Sequence, residues 1–375
     1  MSNTFLNTSL VARDASVELS DNLVATQLCN RNHEEKFVPG VGSSITVKVP
    51  PVQTARDFID DAGTTTANDI TESGVALALT EQPYVRHTLT TSEKTLELDD
   101  FLTVVTRPAV LAIRDATDTF ICKKMVAGFS AGGVVGTDGN QPSTLAHIAA
   151  GIAQLNTNKC PMDQRIGLVN VTPHASFIQL NQFISADYGS SRPAALAEAT
   201  MGKLYGCEWF MDQNMATLDR GDITDGTNVY GAANTGTTLV VDDGAAGSTG
   251  TINEGTRFTV NGVAGEYVVL ADATAVGGVI SLSIYPALAS TPADNAAVTY
   301  IAAASGNVMY TRNAIAAAVV APAPLAIGSS VAFYNNIGIR VTMSSSTSTL
   351  SDDIVYDVLV GSKVIQKFGG ICLQG

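Results

Sequence analysis

The residue types that carry chemistry are sparse in this chain, and their spacing argues against using them. Gly128-Phe129-Ser130-Ala131-Gly132 spells the G-x-S-x-G pattern, which in hydrolases sets a serine nucleophile on a sharp strand-to-helix turn beside an oxyanion hole. Here the pattern follows a long helical stretch and enters a glycine-rich turn, Gly132 to Gly139, so it reads as a helix stop. The four histidines, His33, His87, His147 and His174, are far apart, and none has an acidic or cysteine partner at metal-ligand spacing. The five cysteines, Cys29, Cys122, Cys160, Cys207 and Cys372, are odd in number, widely spaced and free of any Cys-x-x-Cys. They read as buried reduced thiols, not as a disulfide framework or zinc site. Asp57, Asp60, Asp61 and Asp69 crowd one polar stretch but miss the EF-hand spacing; they are expected in a solvated loop, or facing basic residues of a neighbouring chain. Arg220-Gly221-Asp222 spells an adhesion tripeptide where such composition is ordinary. Arg114 and Asp118 fall at i,i+4, a pairing worth a few tenths of a kcal/mol. No Walker loop or Rossmann glycine fingerprint occurs. The expectation is a non-enzyme with no catalytic residue, no cofactor and no metal.

Charge points the same way. Charged residues make up 15% of the 375, and 21 basic side chains face 35 acids for a net charge of −14. Gripping phosphates needs clustered Lys and Arg, so sequence-specific nucleic-acid binding is excluded. Hydrophobic residues reach 45%, which supports a sizeable core of two domains, or of one large domain with an insertion. So little charge implies either a sheet- and loop-rich chain or a surface covered by partners. Residues 1–10 lack the basic and apolar regions of a signal peptide, and no apolar run nears the length of a membrane span.

The elements that would position these residues follow from periodicity. A helix is expected from Ser16 to Leu28 with two opposed apolar faces, Val17, Val24 and Leu28 on one and Leu19 and Leu23 on the other. A surface helix shows one stripe, so two faces predict a helix sandwiched between its own subunit and a neighbour, or buried within its own domain. Ile45, Val47 and Val49 alternate in a strand from Ser43 to Pro50; a long polar connection leads to strands at Val75–Leu79 and Val85–Leu98. Asp99 or Asp100 is expected to cap a short helical stretch ending near Pro108, and Thr106 a second, long helix from Arg107 to Phe129. Then come a helix opened by Pro142, a strand at Ile166–Val171, a helix capped by Thr172 and Pro173 running through Phe183, a helix ending near Tyr205, and a strand at Cys207–Met211. From Asp219 to Ala304 helical periodicity vanishes, and Gly, Thr, Val and Asp dominate. Strands at Thr237–Val241, Thr256–Val260, Glu266–Leu270, Val279–Tyr285 and Val298–Ile301 predict a small antiparallel barrel or sandwich, inserted into a chain that later resumes. An Ala-rich helix is expected from Arg312 to Val320, a strand over Ile337–Met343, a flexible run from Ser344 to Ser351, and a last strand Ile354–Val360 turned by Gly361.

This order of elements resembles the major capsid proteins of tailed bacteriophages, of the Hong Kong 97 type. The late insertion is similar to that of the short-tailed-phage coat proteins. The fold class is α+β. The resemblance assigns residues 1–33 to an N-terminal arm and 34–98 to peripheral-domain strands with an extended loop whose tip lies at about 53–74. It assigns 99–141 to a spine helix and turn, 142–218 to the first part of an axial domain, 219–304 to the inserted domain, and 305–375 to the remaining axial and closing peripheral strands. Tyr188-Gly189-Ser190-Ser191-Arg192-Pro193, with Gly202-Lys203-Leu204-Tyr205-Gly206 after it, resembles the family's axial loop and helix.

The resemblance implies a structural protein that self-assembles through pentamers and hexamers into an icosahedral shell around phage DNA, built in the host bacterial cytoplasm and residing in the virion. It implies a separate scaffolding protein, a portal protein and packaged double-stranded DNA touched only non-specifically, with no membrane partner. The arm and the extended loop are expected to reach neighbours and to order on assembly. Assembly contacts are expected at Val17, Leu19, Leu23, Val24, Leu28, Asp57, Asp60, Asp61, Asp69, Tyr188 and Arg192. Deleting residues 1–28 is expected to leave a soluble monomer. An encapsulin-like compartment shell, a tail-tube or decoration protein, and a hydrolase using Ser130 are the competing readings.

Overall fold

The computed structural model describes residues 8–37, 42–49, 53, 55, 70, 72–90, 101–180, 201–215, 217–222, 227–231, 234–242, 250–302, 306–325 and 328–375.

The N-terminal helix begins earlier than its apolar pattern suggested and is broken. Helix α1, Thr8–Asn22, is followed at once by a single turn, α2, Ala25–Leu28. The break at Leu23 and Val24 has a cause outside the helix: the Asp118 carboxylate takes the amide hydrogens of Val24 and Thr26. Val11, Ala12, Ala15 and Leu19 sink into the main core of the same chain. That face packs against the long helix and the strands Ser329–Tyr334 and Ile337–Ser346, while Val17, on the opposite face, is only half-buried and Val24 and Leu28 lie beyond the end of α1.

Ser44–Val49 and Ser73–Ala78 form an antiparallel hairpin, register Ser44↔Ala78 to Val49↔Ser73, with Ile45 and Val47 on the buried face. Its connection, residues 50–72, holds Asp57, Asp60, Asp61 and Asp69; those acids lie outside the described residues.

Helix α3, Arg107–Ser130, ends within one residue of expectation, but no cap precedes it. The chain enters from Phe101 through a π turn, Leu102–Thr106, without leaving helical dihedrals. A proline clashes with the carbonyl four residues back in a regular α-helix, and the widened turn before Pro108 gives it room. Thr106 spends its hydroxyl on Tyr356 instead, 2.9 Å from that phenol oxygen. Val110, Ile113, Thr117, Ile121, Met125 and Phe129 fall on the buried face at helical spacing.

Two sheets flank α3. One is antiparallel, in the order Ser329–Tyr334, Ile337–Ser346, Ser351–Asp357, Tyr84–Thr90. Ser344–Ser346 pair in it with Asp353–Ser351, so this part of the serine run is strand and not a flexible loop. The other is mixed, in the order Val134–Val135, Gly370–Leu373, Val308–Thr311, Arg165–Val169, Cys207–Met211, Gly202–Leu204. Helices α4, Leu145–Thr157, and α5, Val171–Phe177, contribute to its second core, where Phe177 meets Trp209 edge-on at 5.8 Å. Helix α4 starts after Thr144, not at Pro142. The α5 cap is Asn170, whose Oδ1 accepts the Val171 amide hydrogen at 2.7 Å. That places Thr172 and Pro173 inside the first turn, and the helix stops at Phe177.

Two sequence assignments are overturned outright. Gly202–Leu204 is a strand, not the end of a helix. It turns through Tyr205 (φ 53°) and Gly206 (φ 78°) into Cys207–Met211, the left-handed pair a tight hairpin demands. The Ala-rich stretch after Arg312 is a single 3-10 turn, Arg312–Ala314, and then a strand, Ile315–Val320, paired with Leu359–Val364. A strand buried on both faces reads as an unbroken apolar run, which periodicity does not distinguish from a buried helix. The same pairing places Gly361 mid-strand, where a Cβ would fall on the Ala78 carbonyl, so it is no turn.

The inserted segment has its own core, from Val229 to Val298. Its larger sheet has six strands, in the order Val298–Tyr300, Arg257–Val260, Val263–Val269, Val279–Tyr285, Thr238–Asp242, Asn228–Val229, and Thr251–Ile252 pairs separately with Ala273–Thr274. The two ends meet: Asn228 bridges Ala297, the Val229 amide donates to the Ala296 carbonyl at 2.9 Å, and the Val298 amide to the Thr227 carbonyl at 3.0 Å. The sheet is thereby a closed barrel.

Candidate assembly sites and polar junctions

Chemistry at Ser130 is excluded by geometry. Ser130 lies in the last turn of α3, buried, and its hydroxyl donates to the Val126 carbonyl at 2.7 Å. A Cβ at Gly132 would fall on the carbonyl oxygens of Lys367 and Gly370, so this glycine lets the chain pass under a neighbouring loop. All five cysteines are buried and unbonded to one another. Burial pushes their thiols up, Cys372 to about 11, which keeps them protonated and unreactive. Among the described residues no group of His, Cys, Asp and Glu is arranged to hold a metal, and no helix is long and apolar enough to cross a membrane.

What the fold builds instead are polar junctions between its parts. The first joins barrel and body. Glu254, at the barrel's base, takes Lys124 of α3 on one carboxylate oxygen at 2.7 Å and Lys363 on the other at 3.0 Å. Arg257, one of the two basic residues of the acidic segment, is buried and bridges Glu266, at 2.5 Å, to Asp138 of the glycine turn. Lys367 lies 4.3 Å over the Tyr285 ring, and Gly255 packs against Ala127 with no room for a Cβ.

The second junction ties the antiparallel sheet together. Arg340 grips Asp357 through two nitrogens, at 2.9 and 2.5 Å, and Gln82 adds a 2.7 Å hydrogen bond to the same carboxylate. The third lies beneath the N-terminal segment. Asp118, 1% exposed, accepts the amide of Val24 at 2.9 Å, that of Thr26 at 3.2 Å, and the Thr26 hydroxyl at 2.9 Å. Arg114 is not its partner; that guanidinium turns to Asp115, 2.5 Å away. The expected i,i+4 pair is absent because Asp118 faces inward and Arg114 faces the surface side.

Of the expected contact residues, Leu19 and Leu23 are fully covered by the chain's own core, Val24 and Leu28 pack half-buried against it, and Val17 is half-buried. Tyr188 and Arg192 lie outside the described residues. The sequence reading gave Asp118 the wrong partner and missed Glu254 and Asp357. Arg257 carried a signal, as one of two bases in an acidic stretch. Several large apolar side chains remain open on the subunit: Tyr84 is 68% exposed and Phe333 63%, with Val104 and Met162 also exposed.

No known family model and no curated protein matches the sequence. Solved structures do match. The chain shares its fold with a protein of Mycobacterium phage Che8, at a TM-score of 0.55 and 16% identity, over 93% of this chain and 90% of that one. A chain from the capsid structure of the cyanophage P-SCSP1u aligns at 0.46 and 13% identity, over 89% of this chain and 83% of that one. A chain from the asymmetric unit of the bacteriophage PhiM1 mature capsid aligns at 0.47 and 9% identity, over 100% and 89%.

Proposed function

We propose that this chain is the major capsid protein of a tailed bacteriophage, a structural subunit that assembles through pentamers and hexamers into the shell enclosing the phage DNA. The observation that carries this reading is the fold shared, nearly end to end, with the Mycobacterium phage Che8 protein. The division into arm, extended loop, peripheral, axial and inserted parts belongs to the same proposal. So do a separate scaffolding protein, a portal protein, non-specific contact with double-stranded DNA and assembly in the host cytoplasm.

The subunit's surface is consistent with that role. Exposed Tyr84, Phe333, Val104 and Met162 are dispersed over different elements, as expected of a protein with several separate contacts. Individually weak contacts suffice, because a closed symmetric assembly adds them. The segment that joins Ser44–Val49 to Ser73–Ala78 is assigned to the extended loop on the resemblance alone. Asp57, Asp60, Asp61, Asp69, Tyr188 and Arg192 remain assigned to contacts on the resemblance alone.

Negative-stain electron microscopy of the purified protein, expressed with and without its scaffold, tests the proposal. Uniform polyhedral shells or five- and six-fold capsomers are expected. A persistent monomer under both conditions at high concentration would overturn it.

A further inference from the structure

Three of the nine lysines in the chain, Lys124, Lys363 and Lys367, stand around one crevice at the seam between barrel and body. The crevice holds about 280 Å³. Its walls are apolar and come from separate parts of the fold: Val75 of the hairpin, Ala127 of α3, Val269 and Leu270 of the barrel, and Val364 and Ile365.

Glu254 is the one acid among the described residues that line it, and it is already shared, by Lys124 at 2.7 Å and Lys363 at 3.0 Å. Among the described residues Lys367 pairs with no carboxylate; its ammonium lies 4.3 Å over the Tyr285 ring. Burial, and then the neighbouring Lys363 charge, hold Lys367 below the ordinary lysine range. Three ammonium groups against one carboxylate leave a local excess of positive charge, in a chain whose net charge is −14. Like charges crowded in a half-buried place repel, and carboxylates brought by a partner relieve that repulsion. The group that fits is a set of acids flanking bulky apolar side chains.

The sequence carries that chemistry in a short run, Asp57-Phe58-Ile59-Asp60-Asp61. Two other runs of similar composition are already committed. Phe101, closing Glu97-Leu98-Asp99-Asp100-Phe101, packs on the main core, and Asp352-Asp353-Ile354 is paired on both sides within the antiparallel sheet. We propose that the crevice receives residues 57–61 of a second copy of this chain, with Phe58 and Ile59 against its apolar walls and the acids on Lys363 and Lys367. The inference rests on the shell reading above. Identical neighbours offer the run to every crevice, and contact between two unlike patches on identical subunits is the kind that closes rings.

A fluorescent peptide of residues 53–72, titrated into the full chain held below its assembly concentration, tests this by anisotropy. Saturable binding is expected, weakened about tenfold by Lys363→Gln with Lys367→Gln, and weakened by Phe58→Ser in the peptide. No saturable binding, or binding indifferent to the lysines, overturns the proposal. So does binding that appears only after residues 53–72 of the chain are replaced by a short glycine turn, since the occupant is then the chain's own segment. In the assembly itself, Lys363→Glu with Lys367→Glu should abolish shells, and adding Asp60→Lys with Asp61→Lys should restore them. Normal shells from the lysine-reversed chain overturn the contact. Absence of shells from the unaltered chain overturns the shell reading instead, and the peptide titration still reads the crevice.

Discussion

The barrel and the body that carries it are held together in opposite ways. The barrel's core comes from one continuous run, and its aromatic centre is a cluster of near neighbours: Phe258 lies 5.8 Å from Tyr267 and 6.4 Å from Tyr300. The body's main core gathers side chains from Val11 to Cys372, and its seams are closed by buried charge. A unit of the first kind can form as soon as its own segment exists. One of the second kind needs both ends of the chain and every polar partner in place.

The largest way to break the body is to remove its first element. Deleting residues 1–28 strips Val11, Ala12, Ala15, Leu19, Leu23 and Ala25 from the main core. The product should be insoluble rather than the soluble monomer that the arm resemblance implied, as the soluble fraction of the expressed protein will show. Next comes Phe258→Ala, which should cost about 3–5 kcal/mol and fall on the barrel alone. Hydrogen exchange should then show protection lost over Arg257–Tyr300 and kept in α3. If α3 opens equally, the two regions are one cooperative unit. Glu254→Ala removes both lysine links and leaves the barrel core intact; a loss of roughly 1 kcal/mol is expected. Its signature is a broader urea transition, as the two regions separate. Smallest is Ser130→Ala, at about 0.5–1 kcal/mol for one helix-internal hydrogen bond, with shell formation unaffected.

The same contrast explains what was legible in the sequence. Five of the six barrel strands, all but the closing strand Asn228–Val229, the hairpin Ser44–Val49 with Ser73–Ala78, and α3 are readable within a few residues, because alternation, glycine turns and helical spacing are local signals. The errors fall where a distant partner decides. Thr106 looked like a cap until Tyr356 claimed its hydroxyl. Ile315–Val320 looked helical until Leu359–Val364 paired with it. The strands Val308–Thr311, Ser329–Tyr334 and Gly370–Leu373 were overlooked, and each exists only by pairing across the chain. Of the two readings of the N-terminal helix, a cover from a neighbour or burial in its own domain, the structure shows the second for Leu19 and Leu23, and the break at Leu23–Val24 keeps Val17, Val24 and Leu28 from forming one face. Asp118 was assigned to the nearest opposite charge when its real partners lie 94 and 92 positions earlier.

The closure of the barrel through Asn228 and Ala297 has a bearing on life at high density. An open sheet offers a row of unpaired amides and carbonyls to any identical neighbour, and crowded copies of one protein are where such templates seed fibrils. By returning its last strand to its first, the six-stranded sheet pairs the described residues of its two end strands with each other. In the shell proposed above, neighbouring copies would stand side by side without recruiting one another through these end strands.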